Sequence, residues 1–192
     1  MDAVEFPDMM VDVETTGNDN PSVFGCFQVS AIKFNARTGA VGPMFDRCPG
    51  LLPNRYWTGD TQHFWMVKNR AVYDKIVARE EPAVKVWEDF RAFAMKDSPN
   101  GGYRFWAKPI TFDWAVVASH FHQLGLSMPF HFRFARDLNT YMAALAGGPE
   151  HTNMESRVPF EGDQHNGLHD CAYQIDMLTH ALRTHVHAEV VA

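Results

Sequence analysis

The sequence predicts an α/β fold: a mixed sheet, begun as an antiparallel meander and continued by parallel strands, flanked by helices. Three observations carry this. Short apolar runs with period-two alternation, joined by turn signals, fill the chain up to residue 47. After the Pro/Gly-rich stretch CPGLLPN the pattern changes to helical spacing interrupted by short strands. With 192 residues and 46% apolar composition, the chain can bury a core on both faces of a sheet.

The elements follow in order. MMVDVE, residues 9–14, is the first strand. In GCFQVSAIKF, 25–34, alternation turns Phe27, Val29 and Ala31 one way and Gln28, Ser30 and Ile32 the other. NARTG, 35–39, is a turn, and residues 40–47 return as a third strand. Residues 63–80 and 81–96 read as helices, the second with Pro82 near its first turn and Val86, Phe90 and Phe93 at helical spacing. A fourth strand covers 101–107. A helix over 112–126 stops near Gly125. Residues 132–146 start extended and turn helical, and 146–164 form a long polar loop. The last helix, within 165–186, carries Leu168, Cys171, Ala172, Ile175, Leu178 and Leu182 on one stripe. There is no internal repeat, and residues 1–192 read as a single domain.

Composition narrows the function. A formal charge of −6 argues against gripping long nucleic acid by counterion release, but not against an enzyme that holds a short polyanion through bound cations. No run approaches the ~20 apolar residues of a membrane span. The acidic MDAVEF start has no basic-then-apolar leader pattern, and the three cysteines, an odd count without a CxxC pair, read as reduced thiols. A cytoplasmic location with no membrane partner is therefore expected.

The chemistry starts at Asp12 and Glu14. Two residues apart on a strand, their side chains project from one face and repel each other. A basic residue between them would make a structural ion pair, yet the nearest is Lys33. A hard divalent cation, Mg²⁺ or Mn²⁺, is the other partner such oxygens accept. Asp113, at the start of a helix after the fourth strand, would alone be a helix-dipole acid. Asp170, one turn into the last helix, would alone be a solvated one. His165 converges on Asp170 only if it precedes the helix, with Asn166 as N-cap, because residues five apart on a helix diverge by about 140°.

DVETTG, then FD at 112–113, then HNGLHD together resemble the three motifs of the DEDDh (DnaQ-like) 3′-5′ exonucleases over about residues 9–182. RFWAKPITFD and FARDLNTY further resemble small bacterial and phage 3′-5′ exoribonucleases. The resemblance implies an RNase H-like fold and a metal-dependent enzyme that removes nucleoside 5′-monophosphates from the 3′ end of single-stranded RNA or DNA, RNA slightly favoured. It implies two Mg²⁺ or Mn²⁺ ions held by Asp12, Glu14, Asp113 and Asp170. Asp12 would bridge, Glu14 and Asp170 would complete one site, and Asp113 would join Asp12 at the other. His165 would be general base, as an imidazole titrates near neutral pH. Thr15 and Thr16 would meet the terminal nucleotide, with Gly17 permitting its close approach. Relatives suggest a homodimer.

Trp106, Phe112 and Trp114 flank the second motif and are candidates for base stacking, with core packing the alternative. Arg136, beside Asp137, would hold substrate phosphate or form an ion pair. Two departures from the family pattern stand out: Gly167 where Ala is usual, and His169, expected to face solvent, where an acid is common. Zinc pairs at His120/His122 or His165/His169 are disfavoured by facing and by the lack of a third ligand. His180, His185 and His187 read as a solvated helix end. A non-catalytic nucleic-acid or partner-binding module on the same fold is the competing reading, and the intact carboxylates count against it.

Overall fold

The computed structural model describes residues 5–100, 102–148 and 157–190. Its centre is a six-stranded sheet in the order β4-β3-β2-β1-β5-β6. Strand β1 (Asp8–Thr15) lies between β2 (Cys26–Phe34), antiparallel to it, and β5 (Arg104–Ala107), parallel to it. Strand β3 (Val41–Pro49) completes the expected meander through the 35–39 turn, and β6 (Ala135–Asp137) pairs in parallel with β5. The mixed sheet anticipated from the alternation is thus the sheet observed.

Alternation along β1 splits the core in two. Met9, Val11 and Val13 face α3 (Ala83–Met95) and α4 (Ile110–Gln123), where Trp87, Phe90, Val117 and Phe121 are fully buried. Met10, with Ile32 and Phe34 of β2, faces α5 (Leu138–Leu145) and α6 (Gly167–Val190), against Leu138, Cys171, Ile175 and Leu178. The predicted apolar stripe of α6 docks through Leu168, Cys171, Ile175, Leu178 and Leu182, whereas Ala172 is exposed, and all nine residues of β2 are buried between the layers. All three cysteines are buried and free.

Two expectations are corrected. Residues 63–80 do not form one helix. The chain runs through α1 (Gly59–His63), a wide π-type turn (Phe64–Lys68) and α2 (Arg70–Val77). The wide turn seats Trp65 in a small core with Phe27 and Ile76, and its indole N–H donates to Thr15 O at 3.1 Å. Burying that ring outweighs regular helical pitch. Residues Glu80–Glu81 then add an edge strand, β4, parallel to the end of β3, where Arg47 pairs with both Glu81 and Asp89. Within the predicted 146–164 loop, residues 149–156 lie outside the described residues, as do the side chains of His185 and His187. No described helix is long and apolar enough to cross a membrane.

Asp8 begins the acidic row of β1 and is fully buried, yet satisfied. Arg104 donates to it from Nε at 2.5 Å and Nη2 at 2.7 Å, Trp106 from Nε1 at 2.8 Å, and Ala36 from its main-chain N–H at 3.0 Å. Asp8→Ala would leave these donors without their acceptor in a buried setting. A loss of about 3–5 kcal/mol is expected, read as a lowered urea midpoint with unchanged slope.

Candidate active site

The other acids of that row have no such neutralisation. Asp12 and Glu14 continue the Met10 face of β1 towards α6, opposite Ser30 and Gln28. Beyond Met10 strand β1 loses its β5 partner, because β5 ends at Ala107 and the chain turns into α4. That leaves an open ladder position which Asp113, in the first turn of α4, fills by accepting from Val13 N at 3.1 Å. Asp137 fixes the start of both neighbouring helices, accepting from Ile110 N at 2.9 Å and Thr140 N at 2.7 Å.

The last motif is arranged as the sequence predicts. His165 precedes α6 in the left-handed region (φ 62°), and Asn166 caps the helix by accepting from Leu168 N at 3.2 Å. Asp170 is thereby turned to the same cavity as His165. Gly167, the departure from the family's Ala, is required by packing: a Cβ there would lie 2.8 Å from Ser30 Oγ, and its N–H donates to Gln28 Oε1 at 3.1 Å. Gln28 and Ser30 both donate to Asp46 at 2.8 Å, so β2 and β3 hold the head of α6 in register.

These elements enclose a cavity of about 320 Å³ into which Asp12, Glu14, Asp113, His165 and Asp170 converge. One ligand atom each from Glu14, His165 and Asp170 lies within 4.8 Å of the others. Lys33 does not neutralise the group: its Nζ donates to Lys96 O at 2.6 Å and lies over the Phe93 and Tyr103 rings. Lys108 lines the cavity and its charge favours ionisation of Asp12 and Asp170, but burial wins at both, aided at Asp12 by the charge of Asp170. Burial, then the charge of Asp170, pushes Asp12 up to about 7. Glu14 and Asp113 are raised well above the ordinary carboxylate range, by burial first and neighbouring carboxylates second. Burial likewise raises Asp170 against the opposing charge of His165. Gln174, 5% exposed, donates to Asp12 Oδ1 at 2.9 Å and leaves its own Oε1 without a partner. Hard oxygens, an adjacent imidazole and an excess of negative charge fit divalent cations.

Phe112 lines this cavity and a second one of about 390 Å³, which Thr15, Asp60, Phe64 and Lys68 also border. The edge of Phe64 meets the His165 ring at a centroid distance of 4.9 Å, and Trp65 does so at 6.1 Å. Thr16 is fully buried, its hydroxyl donating to Tyr56 O at 2.7 Å and accepting from Gly25 N at 2.7 Å, so it is a latch within the fold. Gly17 makes room for the protein itself, since a Cβ there would meet the Phe24 side chain at 2.7 Å. Trp114 packs against Phe105 in the α3/α4 core. Trp106 and Arg136 line neither cavity; they border another at the far end of the α6 face. Arg136 makes no ion pair with Asp137, donating instead to Arg133 O and Ala135 O at 2.9 Å. His169 does not face open solvent: its Nδ1 accepts from Asp163 N at 2.9 Å and the ring packs on Gly162. His120 is buried, accepting from Cys26 N at 3.2 Å and bonded to Val116 O at 2.8 Å, while His122 is exposed; they form no zinc pair. Lys108, Gln174 and the Phe64/Trp65 wedge escape sequence reading, since only the tertiary fold brings them here.

The sequence matches the family model of the 3′-5′ exoribonuclease Rv2179c-like domain over residues 7–182. The chain belongs to this family. The match agrees with the resemblance carried by the three acidic motifs. No curated protein matches the chain by sequence. Among solved structures, this Rv2179c-like domain is similar to cell-death related nuclease 4 (CRN-4), with a TM-score of 0.67 and 16% identity over 94% of this chain and 65% of that one. It is similar to E. coli Exonuclease I in complex with a dA16 oligonucleotide, at 0.67 and 15%, over 89% of this chain and 39% of that one. S. pombe Pop2p in its Mg²⁺- and Mn²⁺-bound form gives 0.65 and 10%, over 91% and 82%. The Rv2179c-like domain thus spans less than two thirds of CRN-4 and of Exonuclease I, and at these identities the likeness establishes the shared RNase H-like fold.

The raised carboxylates fix a pH dependence. An acid with a folded pKa above its unfolded value binds more protons when folded, so metal-free stability falls as pH rises between the two, here from about 4 to about 7 for Asp12. Metal-free melting temperature should drop by on the order of 5 °C between pH 5 and pH 7.5. Millimolar Mn²⁺ should restore it, and Asp12→Asn should flatten the pH profile and abolish the Mn²⁺ gain. A melting temperature for Asp12→Asn well below the parent at pH 7.5 would show that Asp12 is instead held by a stabilising ion pair.

Proposed function

We propose that this chain is a 3′-5′ exonuclease acting on single-stranded nucleic acid, RNA before DNA, and releasing nucleoside 5′-monophosphates. The observation that carries the reading is the convergence of Asp12, Glu14, Asp113, Asp170 and His165 on one cavity. Membership of a family described as 3′-5′ exoribonuclease supports it and favours RNA. Similarity to E. coli Exonuclease I in complex with single-stranded DNA and to S. pombe Pop2p with Mg²⁺ and Mn²⁺ supports the substrate form and the metals.

Asp12, Glu14, Asp113 and Asp170 would hold two Mg²⁺ or Mn²⁺ ions, Asp12 between them. Such a pair of ions, when bound, supplies charge stabilisation to an in-line displacement at phosphorus and acidifies water. The residues of this chain do the rest. His165, steered by Phe64 and Trp65, accepts the proton of the attacking water. The new oxygen–phosphorus bond forms as the bond to the penultimate 3′-oxygen breaks, and that oxygen leaves with a proton from solvent. Gln174 orients the Asp12 carboxylate through its 2.9 Å hydrogen bond. The terminal nucleotide occupies the cavity bordered by Thr15, Phe64, Lys68 and Phe112, where Phe112 offers a ring to the base and Lys68 a charge to the phosphate.

With 5′-labelled RNA and DNA oligomers, Mg²⁺ or Mn²⁺ should give a ladder shortening from the 3′ end, and chelator should abolish it. Intact substrate with every metal would refute the proposal. His165→Ala should lower kcat by about 10²–10⁴-fold while the Mn²⁺-dependent rise in melting temperature persists. Loss of that rise would make His165 a ligand rather than the base.

A further inference from the structure

The sequence places Trp106 and Arg136 beside the acidic motifs, but the fold carries them to the opposite end of the α6 face, into a cavity of about 580 Å³. Four guanidinium groups border it, from Arg37, Arg104, Arg136 and Arg183, each on a different element: the β2–β3 turn, β5, β6 and α6. In a chain with formal charge −6 this is a local reversal of sign. Arg104 is offset by Asp8, and the field of Arg183 reaches Asp176. Arg37, Arg136 and Arg183 form no carboxylate ion pair among the described residues.

The arrangement is held in place. Arg136 is half-buried and fixed by two main-chain carbonyls through Nη1. Arg183 reaches back to Thr38 O at 3.5 Å over Gly39, whose left-handed backbone (φ 76°) and missing side chain leave the space its guanidinium occupies. The wall between is aromatic: Trp106, locked by its N–H to Asp8, meets Tyr141 edge to face at 5.2 Å, and Tyr141 is 37% exposed. Guanidinium forks recognise phosphate oxygens, and an exposed ring stacks on a base whatever its identity.

We infer that this cavity is a second nucleotide-binding site, taking a phosphate on Arg37, Arg136 and Arg183 and a base against Tyr141. Asp170 and Arg183 stand about 20 Å apart along α6 by its helical rise, so the site is separate from the acidic cavity, and binding there does not rest on the hydrolase reading. The unit bound is either a free mononucleotide or an upstream nucleotide of a strand whose 3′ end lies in the acidic cavity.

The test is equilibrium binding by calorimetry, with the mononucleotide ligands in chelator, where the bare acidic cavity repels phosphate, and the oligomers, made as hydrolysis-resistant phosphorothioates, in Mn²⁺, where it does not. AMP, adenosine, inorganic phosphate and oligoadenylates of two to eight nucleotides are compared on the full chain and on Arg37→Gln/Arg183→Gln, with Tyr141→Ala as a second variant. Arg70→Gln/Arg91→Gln removes the same charge elsewhere. A free-nucleotide site requires AMP to bind at least tenfold more tightly than adenosine or phosphate, and to weaken at least tenfold in the first variant but not in the control. A strand site requires that tenfold loss only for oligomers long enough to span both cavities. Unchanged affinity for AMP and for every oligomer in variants that melt like the parent would overturn the inference. So would equal losses in the control pair, which would reduce the effect to net charge.

Discussion

The folded chain concentrates four carboxylates at the end of β1, where burial opposes the ionisation of all four and neighbouring carboxylates oppose that of Asp12, Glu14 and Asp113. One lysine in the cavity does not balance them. A protein under selection for stability alone would replace such a group with apolar residues, since satisfied apolar packing is no worse than even a paired buried charge. The contrast with Asp8 on the same strand face is instructive. There, one buried acid receives a bidentate arginine, an indole N–H and a backbone N–H. The scaffold can neutralise an acid on this face, and at Asp12 and Glu14 it does not.

The surroundings keep the repulsion from being relieved by movement. Val13 N–H fixes Asp113, and Asp137 ties the starts of α4 and α5 to one another. The head of α6 is pinned by Gln28 and by the close approach of Gly167 to Ser30, both backed by Asp46. His165 adopts a left-handed backbone just outside the helix, an arrangement that costs about 1 kcal/mol or more for a non-glycine residue. Its ring is then braced by Phe64 and Trp65, and Trp65 is bonded to the carbonyl of Thr15, next to Glu14. Asp12 and Glu14 thus rest on β1, Asp113 on α4, Asp170 on α6 and the imidazole just before it, and each of these is tied to the sheet near its contribution.

What was legible follows from this division. Alternation in β1 placed Asp12 and Glu14 on one face, and the geometry of five-residue spacing put His165 outside α6 with Asn166 as its cap. These are local rules, and they hold. The meander and the stripe of α6 are local for the same reason. The wide turn at Phe64–Lys68 was hidden because the gain from seating Trp65 is tertiary. Strand β4, two residues long, leaves no period to detect. Trp106 and Arg136 were misplaced because their neighbours in sequence point to the acidic end, whereas the register of β5 with β6 pairs them with each other at the other. Thr16, Gly17 and Trp114 carried motif or aromatic signals that the structure spends on internal contacts.

The distribution of charge along α6 links the two ends. Its first turn carries Asp170 into an acidic cavity, and Arg183, about three and a half turns later, borders a cavity ringed by guanidinium groups. The net charge of −6 conceals this separation of charge, because opposite signs at the two ends of α6 cancel in the sum but not in the local field. A polyanion approaching the bare protein is repelled at the acidic end and attracted at the basic one, and cations in the acidic cavity remove the repulsion there. On the proposed reading, occupation by metal would decide whether the two ends oppose or cooperate in holding one strand.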